Sequence, residues 1–223
     1  MDSPSVLDPD ELWLKRKCHT PEGPYLLPFA PNVNWKRASV FIVGLNPTSS
    51  FRDEFESFEH YWAALTRDPH TYTKIHHRKY LQRPESRTSK RIRHLSESLG
   101  PINVLVTNTF AYPTTNPMLI PTYIKREPVG ERLISRLIIT CKPKVVFFHG
   151  AEARKFGEAF FRLKLNPYLE PARQPMICHI PDTDSITYLF AYHHLVGRVE
   201  TKEVTDIKLK QFAEQIIRCV EAS

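Results

Sequence analysis

The residues best equipped for chemistry in this sequence are amides and imidazoles that directly follow short apolar runs. The run Ser39 to Gly44 leads into Leu45-Asn46-Pro47, and Asn103 to Asn108 leads into Thr109-Phe110. The run Lys144 to Gly150 carries His149 and continues to Ala151-Glu152, and Ile186 to Tyr192 leads into His193-His194-Leu195. An amide offers both a donor and an acceptor, and so does a neutral imidazole. Two amides and three imidazoles at corresponding points of four similar segments form a polar cluster that a core-only protein has no need of. Such groups can orient a water molecule, read a polar ring or stabilise a departing anion. None of these tasks needs a metal or a redox group.

The four runs are rich in Val, Ile, Phe and Tyr and nearly continuous in apolar character, the pattern of strands buried on both faces of a parallel sheet. Helical spacing lies between them. Phe51, Phe55, Phe58, Trp62 and Leu65 predict one helix, and Ile92, Leu95 and Leu99 another that ends at Gly100-Pro101. Pro128 opens a third carrying Val129, Leu133, Leu137 and Ile138. Ala153, Phe156, Phe160 and Leu163 mark a fourth, and Ile207 to Val220 a fifth. The His-, Lys- and Arg-rich stretch Thr66 to Arg93 reads as a surface loop running into a helix. Near the start, Asp8-Pro9-Asp10-Glu11 combines a capping side chain, a proline at the first helical position and an early glutamate. That predicts a helix to about Lys17, followed by a proline-rich stretch from Pro21 to Pro31. Strands alternating with helices predict a three-layer α/β/α fold around a central four-stranded parallel sheet. Residues 1–34 are expected to pack as an N-terminal helix and proline-rich segment on a domain formed by 35–223. In an open parallel sheet, ligands bind beyond the carboxyl ends of the strands, where the amides and imidazoles stand.

Composition narrows the function further. A chain of 223 residues with 41% hydrophobic and 25% charged residues suits one globular domain. No apolar run is long enough to span a bilayer, and Met1-Asp2-Ser3-Pro4 does not start a secretory signal, so a soluble intracellular protein is expected. The cysteines Cys18, Cys141, Cys178 and Cys219 are scattered without a C-x-x-C pair, and the pairs His76-His77 and His193-His194 lack ligating company. No metal site is expected. With seven glycines and neither G-x-G-x-x-G nor G-x-x-x-x-G-K, no cofactor is expected either. The formal net charge of +7 makes a polyanion a plausible partner, although a solvated basic surface gives the same balance.

In these blocks the sequence resembles the uracil-DNA glycosylase superfamily. Val40-Phe41-Ile42-Val43-Gly44-Leu45-Asn46-Pro47 is similar to the G-[IL]-N-P first motif of the mismatch-specific uracil/thymine branch. Val104-Leu105-Val106-Thr107-Asn108-Thr109 resembles the family's middle strand, which ends in a base-reading asparagine. Val145 to Ala153 looks like the third strand running through a glycine into a helix. Tyr192-His193-His194-Leu195-Val196-Gly197-Arg198 falls where the family has H-P-S or N-P-S. Two departures stand out: Thr48 follows Asn46-Pro47 where a glycine is usual, and no Pro-Ser follows His193.

The resemblance implies hydrolysis of the N-glycosidic bond of uracil or another deaminated or mismatched base in DNA, as in base excision repair. Asn46 would position the attacking water, and His193 (or His194, with motif order favouring His193) would donate to the base oxygen. Asn108, with Gly44 and Leu45, would bind the base, and Phe55 would stack on it. Leu195 would enter the duplex beside Arg198, and Lys90 and Arg91 would contact phosphates. Each residue has a plainer reading: a turn-closing Asn46, a strand-end Asn108, loop histidines, a phenylalanine on the buried face of a helix, and a solvated basic run. The alternative at the level of function is a catalytically weak or inactive member of the same fold that binds damaged DNA or a nucleobase. A monomer is expected in either case.

Overall fold

The computed structural model describes residues 8–47, 51–80, 85–114, 116–126, 128–166, 175–193, 195 and 201–222. Five strands form one sheet: β1 (Val40–Gly44), β2 (Val104–Asn108), β3 (Val145–His149), β4 (Met176–His179) and β5 (Ile186–Tyr192). Their order is β2-β1-β3-β5-β4. β1, β2, β3 and β5 run parallel, and β4 lies antiparallel to β5 at one edge. The three-layer α/β/α architecture holds, with a sheet of five strands in place of the expected four. The fifth escaped the pattern because β4 is a short edge strand whose residues alternate between half-buried and exposed.

Alternation along the strands sorts the core into two layers. Phe41, Val43, Val146, Phe148, Leu189 and Ala191 face one layer, while Val40, Ile42, Val145, Phe147, Phe190 and Tyr192 face the other. Three helices, α1 (Pro9–Cys18), α6 (Val129–Cys141) and α7 (Ala151–Phe161), cover the first face, together with α2 (Phe58–Thr66) and α3 (Pro69–Tyr80). Helices α4 (Arg87–Ser98) and α8 (Lys202–Glu221) cover the second. A fully buried aliphatic or aromatic side chain contributes roughly 1.5–3 kcal/mol, so these two layers dominate the stability of the sheet.

Caps place the helix ends. The Asp8 carboxylate accepts from the Glu11 amide at 2.9 Å and starts α1 where the sequence signal stood. Ser57, Ser86 and Thr201 cap α2, α4 and α8 in the same way. The Ser57 cap explains one departure from expectation. Phe51 and Phe55 precede the helix that the spacing had extended over them, yet both are buried. Another departure is α3, a full helix where a surface loop was expected. Its only fully buried side chain is Tyr72, so it carries little apolar periodicity to read. The segment after β2 forms a single turn of tight helix at Pro117–Leu119 and the short α5 (Thr122–Arg126).

The N-terminal segment is stitched into the same core. Leu14, Cys18, Tyr25, Leu26 and Phe29 join the first layer. Phe29 bridges to Thr107, whose hydroxyl donates to the Pro28 carbonyl at 2.6 Å, so this segment screens the outer edge of β2. Among the described residues, no helix is long and apolar enough to cross a membrane.

Candidate functional site

The strand order puts β2 and β3 on opposite sides of β1. The carboxyl end of β1 is therefore a point where the chain leaves in two directions, the place where open α/β sheets form a crevice. Along this edge, in sheet order, stand Asn108, Gly44, His149 and Tyr192, each the last residue of its strand. Asn108 is level with Gly44, and His149 with Tyr192.

Gly44 is the centre of this row. A Cβ built on it would lie 2.8 Å from His149 Nε2 and 2.9 Å from Asn108 Oδ1. Both polar tips thus converge over bare backbone that no other residue type could leave open. The imidazole of His149 is 4% exposed, and Asn108 is half-buried. Just beyond His149, Gly150 has φ of 89°, a conformation that favours glycine, and its N–H donates to the Tyr192 carbonyl at 3.0 Å. That turn ends β3 and starts α7, and it holds the ends of β3 and β5 together.

Past the strands, the segments that follow β1 and β2 stay zipped. The Thr109 amide and hydroxyl donate to the Gly44 carbonyl at 2.9 and 3.0 Å, and the Phe110 amide to Leu45 at 2.8 Å. The Thr114 amide donates to Pro47 at 2.9 Å. This zipper fixes Asn46. Its Nδ2 donates to the Thr114 carbonyl at 2.8 Å and to the Pro47 carbonyl at 3.1 Å. Two carbonyl neighbours dictate which end of the amide is nitrogen. With both N–H groups so used, the part of the side chain that remains to act is Oδ1, an acceptor.

The expected residues fall into distinct groups. Gly44, Leu45, Asn46 and Asn108 lie at the carboxyl edge, with Leu45 half-buried. His193 follows β5 directly, is half-buried, and places its ring 4.1 Å from that of Tyr192. It stands two strands from β1, roughly 10 Å across the sheet. His149 was counted among the strand-end imidazoles but given no role of its own, and the structure sets it nearer to Gly44 than His193. The signal was present, since it ends an apolar strand just as Asn108 does. The Thr114 carbonyl was invisible in the sequence because any residue carries one.

Three expectations need correction. Leu195 is 0% exposed and packs with Phe190, Tyr192, Leu209 and Phe212, so it is core and not a duplex wedge. Arg91 donates to the Leu195 carbonyl and approaches Asp206 at 3.8 Å. Its guanidinium ties α4 to α8 and is not presented to a phosphate. Phe55 is buried among Tyr61, His60 and Tyr72 and shows no open face for a base. Lys90 is exposed on α4, as a phosphate contact requires. Arg198 and His194 lie outside the described residues.

Among the described residues, no group of three or more His, Cys, Asp or Glu side chains could hold a metal ion. A cavity of about 230 Å³ is lined by Pro175, Ile177, Tyr188, Arg218, Cys219 and Ala222, on the side of β5 away from β1. No protein-family model matches the chain, and no curated protein matches it.

Proposed function

We propose that this protein is a DNA glycosylase of the uracil-DNA glycosylase type, hydrolysing the bond between deoxyribose and a deaminated or mismatched base. The observation that carries this reading is the amide of Asn46, with both N–H groups on the carbonyls of Thr114 and Pro47, beside the Asn108–Gly44–His149 cluster.

The chemistry requires little else. As the C1′–N bond breaks, positive charge grows on the sugar and the bonding electrons leave with the base. Asn46 Oδ1 accepts a hydrogen bond from the incoming water and orients its lone pair toward C1′. The water oxygen bonds to C1′, its proton passes to solvent, and the base departs as an anion that is later protonated. An amide is a weak base, so its contribution is orientation more than proton abstraction. Asn108 presents a donor and an acceptor to the edge of the base. An imidazole, His149 or His193, donates to the base oxygen where negative charge accumulates, provided its other nitrogen is held as an acceptor. The glycine between them leaves the room in which the tips of Asn108 and His149 meet. Lys90 and the net charge of +7 supply attraction to the phosphates.

The test is incubation with a panel of oligonucleotides, each carrying one modified base, followed by alkaline cleavage at any abasic site. Cleavage at uracil or another deaminated base is the expected outcome. Intact oligonucleotides across the panel, with DNA still bound, would instead favour a binding protein built on the same site.

A further inference from the structure

β4 forms one edge of the sheet, with β5 and β3 between it and β1. We propose that this edge is a self-association surface. Two copies of the chain join antiparallel through β4, about a twofold axis at Cys178, and so merge two five-stranded sheets into one. The pairing uses none of the residues assigned to the candidate site, so it stands apart from the glycosylase reading. It makes a dimer of a chain whose sequence suggested a monomer.

The backbone decides which groups face outward. β4 runs antiparallel to β5, with Cys178 opposite Thr187 and Ile177 opposite Tyr188. The Ile180 amide donates to the Ser185 carbonyl at 2.8 Å, which makes these two a hydrogen-bonded pair in the same register. Such pairs alternate, so Met176 and Cys178 bond to β5 while the N–H and C=O groups of Ile177 and His179 point away from the sheet. Among the described residues, those outward groups have no partner. Edge strands are ordinarily blunted by a charged side chain, a bulge or a proline. β4 reads Met-Ile-Cys-His, carries no acid, lysine or arginine, and keeps a regular register. Prolines stand only outside it, at Pro175 and Pro181, and their missing N–H groups limit the open window to Ile177 and His179.

A second β4 fills this window. Turned antiparallel about Cys178, Ile177 of each copy pairs with His179 of the other, and all of these residues exchange their N–H and C=O groups. Ile177, which is 62% exposed, loses water as the strands close. Charge selects a second copy over another extended segment. Arg218 lies beside Pro175 and Ile177 at one end of β4, while Asp182 and Asp184 stand in the turn that leaves the other end. That turn is held by the Thr183 amide on the Ile180 carbonyl at 3.1 Å and the Ser185 amide on the Thr183 hydroxyl at 3.1 Å. All three charged residues are exposed and, among the described residues, none of them forms an ion pair. A twofold axis brings the acidic turn of each copy to the Arg218 end of the other, so opposite charges meet at both ends of the seam.

Sedimentation velocity of the full chain tests this from about 1 to 500 µM, the range suited to a small interface. Diamide oxidation at the highest concentration reports the register. On the axis, Cys178 of one copy faces Cys178 of the other in a non-hydrogen-bonded pair, where Cα atoms lie roughly 4.5 Å apart, within reach of a disulfide. The expected result is a dimer that grows with concentration and is linked by diamide in the parent but not in Cys178→Ser. Ile177→Lys places a charge on the open edge and should raise the dimer Kd by about tenfold or more. Its side chain is exposed, so thermal unfolding should match that of the parent. Arg218→Glu should weaken the dimer as well. A parent that stays monomeric across the range overturns the pairing, and so does a dimer that survives Ile177→Lys or that diamide does not link through Cys178.

Discussion

Replacing Gly44 by alanine adds one methyl group at the point where the site converges. The backbone there does not have the positive φ found at Gly23, Gly100 and Gly150, so alanine meets no torsional penalty. The penalty is contact. The new carbon would sit 2.8 Å from His149 Nε2 and 2.9 Å from Asn108 Oδ1, against a comfortable separation of about 3.5 Å. Each side chain must retreat by about 0.6 Å, and the imidazole is enclosed. Overpacking of this kind costs about 1–3 kcal/mol. The reduced freedom of the unfolded chain returns about 0.4–1 kcal/mol. A net loss near 1–2 kcal/mol lowers Tm by roughly 2–8 °C in a chain of this size. Catalysis should suffer more than stability, because a displacement of about 1 Å costs on the order of a hundredfold in rate, so a loss of tenfold or more is expected. Thermal unfolding and single-turnover base release are the assays. In a His149→Ala background the added methyl has one obstacle fewer, and its stability cost should shrink. Parental Tm and rate in Gly44→Ala, or an equal stability cost with and without His149, would show that the methyl group meets no enclosed neighbour there.

Other consequences follow from the packing and the ionisable groups. Leu195→Ala should cost about 2–5 kcal/mol of stability, because it empties a core position. It should leave the salt dependence of DNA binding unchanged, and a large change in that slope with intact stability would restore Leu195 to the DNA surface. Burial works to raise the Asp8 carboxyl, but hydrogen bonds from Lys36 and the Glu11 amide outweigh it and hold the group below its usual range. A lowered acid contributes stability above its unfolded value, lost as pH falls through its folded value, so Asp8→Ala should flatten the loss of stability below about pH 4. Urea midpoints against pH measure this, and parallel curves for the two proteins would contradict it. Burial pushes the Cys178 thiol up to about 11 and Cys141 to about 12. At pH 8 only about a thousandth of Cys178 is thiolate, so maleimide labelling of the folded protein should be slow and rise about tenfold per pH unit. Fast labelling at pH 7 would contradict that burial.

The parallel strands were legible because burial on both faces leaves continuous apolar runs, and Ile186–Tyr192 was found to the residue. β4 and α3 were not, since one is half-exposed and the other has a single buried residue, so neither prints a period on the sequence. Asn46, Asn108 and Gly44 were legible as neighbours at the carboxyl edge because the ends of apolar runs mark the ends of strands. His149 was counted in the strand-end cluster but given no role, because the resemblance pointed to the histidine after β5. Leu195 misled for a physical reason. An apolar residue in a loop reads the same whether it turns outward to a partner or inward to the core, and only packing against α8 decides. The exposed Met118 and Leu119 are the converse case, as nothing in their sequence separates them from buried Ile120.

On the proposed glycosylase reading, the amide oxygen of Asn46 orients the water that attacks the sugar. Its most direct test compares Asn46→Ala with the parent, taking the single-turnover rate of base release and the Kd for the same oligonucleotide. A rate lower by about a hundredfold is expected, with Kd essentially unmoved. Equal rates in the two proteins, or a loss of affinity that accounts for the whole effect, would contradict it.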